Sequence, residues 1–596
     1  MSMVYLWRYP HENVAEAVRR FDGLLARQAT SLSSAFGRSF VHTSTGIGNV
    51  LVAQVEHADG NGVPAWRPWI DHGSCGIAWS GVCEDLLGVD LDEVETRKLH
   101  ETARQNPERI GGLRGNFVMI SWADAGDDVC ITTGDTMSPP LWWTSGPDGW
   151  ACGSRVAPLF DMVAAAPRFD AAGAALFLAS SYHLSGGTFF AGTERIGTRQ
   201  HVVIRRDGEP RPRPYLSVPD YLLAAGGDRA GLADAVRECA DALVDRTGRQ
   251  RRFSANPVLE LSGGRDSRCI AAAIARGGGK VSAHTGGAPG SPEVRIAREV
   301  AEACGFDHSV ETLEQDRLSV LLEHPAEARR WLRLSEGLES IRQGLHWERF
   351  FRGPLPVFET DSQFFHGTHF GMLKPRVDMT PKKLLSTLPN AVTDRTAARA
   401  VLEDVIATTD EATMAVLGRT GNAVAWANMY YWQRRCSIWG FNVMSTKYPI
   451  AWYWLPLVDK TLLQWSWRLI RDHAKPPPDF IDSITRHNAP EIASIEYVKA
   501  LSPKRGLAQR VGKVLRGMRG RGVPARRTDS GMTFDAQYFS ISAGRPEMWK
   551  RFFATNDHVW KDLVDERFVL ELMERQPRSQ FLWNLATAEL VAQELF

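Results

Sequence analysis

Hydrophobic and polar positions change their rhythm once along this chain. From the start to about Leu216, short apolar stretches alternate with polar positions and are cut by Gly, Pro and Asp, as in GNFVMISWADAGDDVCITTGD (115–135) and RQHVVIRRDGEPRPRPYL (199–216). That alternation predicts half-buried strands, and Asp207-Gly208 predicts a hairpin turn. After Tyr215 the spacing becomes helical: GLADAVRECADALVDRTGRQ (231–250) predicts a helix ending near Gly248. PVLELSGGRDSRCIAAAIARGG (257–278) and KVSAHTGGAPGSPEVRIAREVAEACGF (280–306) then alternate strand, loop and helix, which predicts a parallel sheet covered by helices. The expected architecture is a strand-rich α+β domain over 1–216 and an α/β parallel-sheet domain over 225–596, with the boundary near 217–230. Beyond about residue 310 the pattern is largely helical. There WYWLPLVDKTLLQWSW (452–467) reads as a buried helical core rather than a stacking surface for substrate. KRGLAQRVGKVLRGMRGRGVPARR (504–527) is basic without acids, and reads either as a mobile, solvated loop or as a site for an anionic peptide or phosphates.

Size and composition narrow the class. A chain of 596 residues exceeds what one hydrophobic core supports, so two or more domains are expected. The formal net charge of +1 supplies no global field for nucleic acid or an acidic membrane surface, so neither is expected as a partner. Eight scattered cysteines without a C-x-x-C pair fit a reducing compartment, with thiols packed as small hydrophobes. The first residues, MSMVYLWRYPHENVAEAVRRF, carry charge from Arg8 onward and have neither a signal-peptide nor an anchor pattern. No apolar stretch reaches the roughly 18 residues a membrane span needs, and a cytoplasmic location is expected.

The chemistry is concentrated in one loop. Val258–Leu261 reads as a buried strand and Arg268 onward as a helix, with Ser262-Gly263-Gly264-Arg265-Asp266-Ser267 between them. Glycines allow tight backbone and close approach of an anion, while hydroxyls and helix N-terminal amides supply donors at the positive end of the dipole. A phosphate is the natural occupant. The G-x-x-x-x-G-K-[ST] pattern is absent, since Gly279-Lys280 and Gly512-Lys513 both precede valine. An aspartate inside a phosphate loop needs a bridging cation, so Asp266 is expected to ligate Mg2+ on the pyrophosphate of ATP. That points to chemistry at the α-phosphate.

The loop and its setting resemble the ATP-pyrophosphatase-type synthetase domain of asparagine synthetases, β-lactam synthetases and lasso peptide cyclases. In that resemblance Leu261 to Ser267 hold the nucleotide, and the segment 281–308 brings Ser282, His284, Thr285 and Gly286 near the adenosine. LRGNFVMISWADAGDDVCITTGDTMSPPLWW (113–143), ACGSRVAPLF (151–160) and GGTFFAGTERIGTRQHVVIRRDG (186–208) are similar to the family's glutaminase-like domain of the N-terminal-nucleophile fold. A working glutaminase of the family carries Cys immediately after the initiator Met. Here Met1-Ser2-Met3 begins the chain and the first cysteine is Cys75, so the domain looks degenerate. The resemblance places a Gly-rich third loop at FETDSQFFHGTHFGMLKPR (358–376), with Gly367 at the nucleotide and a carboxylate as second Mg2+ ligand. Gly367-Thr368-His369-Phe370-Gly371 lacks that carboxylate, so either Asp361 or Glu359 replaces it or the metal has one protein ligand fewer. Lys499 matches the family's lysine near the acyl-adenylate, where it would neutralise charge on the intermediate and departing phosphate. Around MYYWQRRCSIWG (429–440) the family often has Glu, where Gln433 stands. Tyr430, Tyr431 and Arg434 are candidates for substrate positioning or for core packing.

The likeness is nearest to lasso peptide cyclases, through SGGRDSR, the stretch 429–440 and RHNAPEIASIEYVKALSP (486–503). It implies an ATP- and Mg2+-dependent ligase that adenylates an Asp or Glu side chain of a leader-cleaved core peptide and joins it to the peptide's own N-terminal amine. A leader-binding protein and a leader protease of the same pathway would be partners. The alternatives are a related amide-forming enzyme, closing a β-lactam-like ring or using ammonia, and a noncatalytic nucleotide-binding scaffold.

Overall fold

The computed structural model describes residues 3–9, 14–36, 39–58, 68–123, 128–205, 210–223, 231–287, 290–311, 328–329, 332–333, 335–341, 362–367, 379–393, 395–418, 422–447, 452–473, 480–497, 546–576 and 579–596. Asp207-Gly208, Glu359, Asp361, Lys499 and the basic run 504–527 lie outside the described residues.

The first half builds two antiparallel sheets. One contains β1 (Met3–Arg8), β2 (Phe40–Ile47), β3 (Val50–His57), β8 (Leu141–Gly146), β9 (Gly149–Gly153) and β10 (Glu194–Ile196), in the order β10-β8-β9-β1-β3-β2. The other contains β4 (Trp69–Asp71), β5 (Cys75–Cys83), β6 (Gly115–Ala123), β7 (Asp128–Thr133), β11 (Gln200–Ile204) and β12 (Arg213–Pro214), in the order β12-β11-β7-β6-β5-β4. Period-two patterning decides which residues go where. Val4 and Leu6 of β1 join Val118 and Ile120 of β6 in the core between the sheets. Tyr5 and Trp7, pointing the other way, pack with Phe21, Leu24 and Leu25 of the helix Val14–Phe36. A helix at Glu93–Gln105 covers the second sheet, started by an Asp92–Glu95 capping box. The layers run helix, sheet, sheet, helix.

The second half contains the expected parallel sheet: β13 (Asn256–Glu260), β14 (Ser282–Gly286), β15 (Asp307–Glu311), β16 (Ser362–Phe365) and β17 (Trp452–Trp454), ordered β15-β14-β13-β16-β17. The chain leaves β13 outward through β14 to β15, then returns to the opposite side of β13. The order reverses between β13 and β16, and ligands of open α/β sheets bind in the crevice at the carboxyl ends of such strands.

Three expectations change. The run 452–467 is not one helix: Trp452–Trp454 is the fifth strand, paired with β16, and the helix begins at Lys460. Pro456 disfavours helix just before it, and Asp459 accepts the Thr461 amide at 2.8 Å to start the helix afterwards. The helix expected to close near Gly248 runs on to Arg252, from Leu232. The helix after the glycine loop starts at Arg265, so Arg265–Ser267 is its first turn rather than part of a separate turn.

The halves share a core in which Ile77, Trp79 and Phe117 of the second antiparallel sheet are continuous with Leu259 and Phe364 of the parallel sheet. Buried charge crosses the same boundary. Glu84 accepts from Arg246 Nη2 at 2.9 Å and from Gln250 Nε2 at 2.8 Å, and Arg246 also donates to the Val458 carbonyl. Both side chains of the ion pair are at most 5% exposed. Replacing Arg246 with Met would strand the Glu84 charge, and a loss of about 3–5 kcal/mol in urea unfolding is expected. An unchanged denaturation midpoint would contradict that role.

Two histidines, those with the largest shifts, contribute to the acid limb of stability. His183, packed between Phe177 and Phe189, is pushed down to about 3 by burial, and His201 to about 4, again chiefly by burial. Their unfolded-state value lies near 6.5, so the unfolded chain binds more protons between the two limits. Stability is complete above about pH 6.5 and falls as pH drops towards 4 and then 3. The midpoint of thermal unfolding is expected to drop between pH 7.5 and pH 5, less steeply in His183→Phe; equal slopes would show that His183 does not contribute.

Candidate nucleotide site at the switch point

The glycine loop closes on itself before any ligand arrives. Leu261, still held to β14 through its amide and the His284 carbonyl at 2.9 Å, delivers Ser262 to the end of the sheet. The Ser262 amide donates to Ser267 Oγ at 3.0 Å, the two hydroxyls lie 2.9 Å apart, and the Gly264 amide donates to Ser262 Oγ at 3.2 Å. The Gly263 amide donates to the buried Glu293 carboxylate at 2.9 Å. Gly264 then caps the helix Arg265–Arg276 without a side-chain cap. First-turn amides and the positive dipole end therefore face the mouth of the loop, where an anion is stabilised.

Gly367 meets this loop from across the switch point. A Cβ on it would lie 2.8 Å from the Ser267 amide nitrogen and 3.2 Å from the Asp266 carbonyl carbon, so only glycine lets the β16 exit approach this closely. The preceding His366 places its Nε2 3.0 Å from the carboxylate of Glu260, the last residue of β13. Thr285 ties the neighbouring strand to the loop, donating to the Leu261 carbonyl at 2.8 Å, and lies 2.9 Å from His308 Nε2. His284 is buried beside Ser309, at 3.1 Å, and Glu311, at 3.5 Å.

The helix that continues the loop is clamped from outside. Arg265 pairs with Asp482 at 3.2 Å, and its guanidinium lies 5.1 Å from the Tyr497 ring. Arg268 lies 4.0 Å from the same ring and donates to the Ile495 and Glu496 carbonyls. Tyr497 donates to Asp482 at 2.8 Å; burial and that carboxylate push its phenol up to about 12.

Leu261 to Ser267, Thr285, Gly286 and Gly367 thus converge at the carboxyl ends of the strands, with His284 just behind. Ser282 does not: it is the first residue of β14, exposed, and paired with Val258 at the opposite end of the sheet. The adenosine role expected for it has no support in this geometry, because strand residues advance about 3.3 Å each and Ser282 precedes Gly286 by most of a strand. Tyr430 and Arg434 sit elsewhere, in the stretch where an α-helix (Ala423–Tyr430) passes into a π-helix (Tyr431–Gly440). Tyr430 lies 3.1 Å from Tyr182 Oη and Arg434 donates to Thr408 at 2.8 Å. Glu293, Tyr497 and the Glu260–His366 pair were missed in the sequence. Ser291-Pro292-Glu293 signals a helix start, but nothing local shows that its glutamate reaches back 30 residues to Gly263.

Asp266 is the carboxylate on the loop. Among the described residues no group of three or more His, Cys, Asp and Glu is arranged to hold a metal.

Residues 238–330, which include the loop, match the asparagine synthase family. No curated protein matches the chain. Among solved structures, the glutamine phosphoribosylpyrophosphate amidotransferase from B. subtilis complexed with ADP and GMP aligns over 52% of this chain and 65% of its own, at 11% identity and a TM-score of 0.24. The allosteric regulatory enzyme of purine biosynthesis aligns over 52% and 80%, at 10% identity and the same TM-score. The chain therefore spans just under two thirds of the length of the first. Among the described residues no helix is long and apolar enough to cross a membrane.

Gly367→Ala is expected to weaken binding of Mg2+ and a nonhydrolysable ATP analogue at least tenfold in calorimetry, because the methyl group must displace Ser267 backbone. Wild-type affinity in that variant would place the nucleotide elsewhere.

Proposed function

We propose that this protein is an ATP-dependent C–N ligase of the asparagine synthetase type, acting as a lasso peptide cyclase on a leader-cleaved core peptide. The observation that carries the reading is the convergence of Ser262–Ser267, which lies inside the segment that matches the asparagine synthase family, with Gly367 at the switch point of a parallel sheet. A carboxylate oxygen of the peptide attacks the α-phosphorus of ATP, and the bond to the β-phosphate oxygen breaks. The peptide's N-terminal amine then attacks the acyl carbon, the acyl–O bond to AMP breaks, and the amine proton passes to solvent. The product is an isopeptide macrolactam, with AMP and pyrophosphate released.

The protein's own residues supply position and charge. Amides of the helix's first turn and the Ser262 and Ser267 hydroxyls bind the leaving pyrophosphate, and Asp266 would hold Mg2+, which would neutralise its charge. Holding both reacting groups of one peptide replaces a bimolecular encounter, a gain that reaches roughly 7–11 kcal/mol in well-oriented systems. Lys499 is the proposed cation for the acyl-adenylate.

The use of the substrate's own amine, rather than ammonia from glutamine, is supported by the cysteines of the first half. Cys75, Cys83, Cys130 and Cys152 are all buried. Burial raises the thiols of Cys83, Cys130 and Cys152, with Cys130 reaching about 12. A thiol nucleophile needs the opposite, an accessible site that favours the thiolate.

Incubation with ATP, Mg2+ and the core peptide should give a product lighter by one water in mass spectrometry, with AMP and pyrophosphate. Asp266→Asn should lower pyrophosphate release at least a hundredfold, while the melting temperature changes little. Nucleotide binding without turnover of any peptide would favour a scaffold, and an open-chain amide would favour a different synthetase.

A further inference from the structure

Away from the nucleotide loop, three arginines gather where the first half meets the π-helix. The loop Tyr182–Gly187 approaches closely at Gly186, whose φ of +85° suits glycine and whose Cα faces Ile438 and Arg195. Arg195, on β10, donates to the Ser437 carbonyl at 2.7 Å. The Arg435 guanidinium carbon lies 4.2 Å from the Trp439 ring centroid and 5.6 Å from that of Tyr182. Arg434 follows Tyr430, whose hydroxyl meets that of Tyr182.

These charges are not balanced locally. Among the described residues none of the three arginines forms an ion pair; Asp404 is near enough to Arg434 to be felt but does not contact it. Arg195 Nε and Nη1, Arg434 Nε and the Gln433 side-chain oxygen are buried without a hydrogen-bond partner. Arg435 donates no hydrogen bond to the described protein and remains partly accessible, with its guanidinium against aromatic rings. Burial lowers Arg195 to about 10 and pulls Arg434 down as well. Desolvated cations without a counter-ion are costly, and an anion between them would offset that cost. Long π-helical stretches are rare and often mark functional sites.

We propose that Arg434 and Arg435, backed by Arg195 and flanked by Tyr182 and Trp439, form a seat for a carboxylate of a peptide ligand, separate from the nucleotide loop. A guanidinium matches a carboxylate in two-pronged fashion, and the adjoining rings suit the apolar parts of a peptide better than a free phosphate. Within the ligase reading, the seat takes an acidic group that is not being activated and so fixes the peptide's register; only the identity of the ligand rests on that reading.

The test uses the full-length protein at 50 mM salt and two capped peptides, acetyl-Ala-Glu-Ala-Ala-Glu-Ala-amide and its Gln counterpart, followed by calorimetry. Wild type should bind the Glu peptide at least tenfold more tightly. Arg435→Gln, which removes no protein hydrogen bond, should erase that preference, as should Arg434→Gln if it folds. Equal affinity of wild type for both peptides overturns the seat, as does a preference that survives in Arg435→Gln. Pyrophosphate competing for the Glu peptide also overturns it, assigning the arginines to phosphate. Pyrophosphate exchange on the same wild-type samples with the core peptide separates the two ideas: its absence beside an intact Glu preference sinks the ligase reading and leaves the seat standing.

Discussion

The site depends on one constraint: β13 must end, turn and become a helix within a few residues while the backbone amides of Ser262, Gly263 and Gly264 stay paired. Ser262 and Ser267 meet this need by bonding to each other across the loop, and Glu293 takes the Gly263 amide. Without these contacts the buried amides would go unpaired, each costing about 1–3 kcal/mol. Because the loop is satisfied internally, it does not need a ligand to hold its shape. A preformed cradle spends less of its binding energy on ordering. Its place in the sheet follows from topology, since β13 is the strand from which the chain departs in both directions.

The second requirement is that the strands around β13 stay in register with a half of the protein built on different principles. Glu84 and Arg246 hold β5's exit against the helix Leu232–Arg252, while Lys460 pairs with Asp135 at 2.7 Å at the start of the helix that follows β17. Arg199 lies 4.8 Å from Trp432 and 5.2 Å from Tyr221, joining the π-helix to the same boundary. Such buried charges add little net stability over apolar packing, but they penalise any shift that separates them. The pairing therefore fixes one relative arrangement of the two halves more than it strengthens the fold.

What the sequence revealed follows from the range of the interactions involved. Ser262–Ser267 was legible because its chemistry is contained in six consecutive residues between a strand and a helix. The strand-rich first half was legible because alternation is a local signal. Glu293, Tyr497 and Arg195 act on partners 30 to more than 200 residues away, and no local pattern encodes those meetings. The aromatic run at 452–467 misled for a related reason: a buried strand and a buried helix both read as apolar, and only Pro456 and Asp459 marked the break. Ser282 was misplaced because sequence order gives nearness to the loop without saying which end of the strand faces it.

The strand-rich half is best understood by what it lends to the other. Its cysteines are closed, so thiol chemistry does not explain the surface it presents. That surface instead supplies Glu84, Asp135, Tyr182, Arg195 and Arg199, each meeting an element of the half that holds the parallel sheet. Three of them, Tyr182, Arg195 and Arg199, meet the π-helix, and around the first two charge is left uncompensated rather than paired. A boundary that balances Glu84 and Asp135 with care but leaves three arginines without acids is not merely structural packing. The positive charge at that junction is the part of the interface with something still to bind.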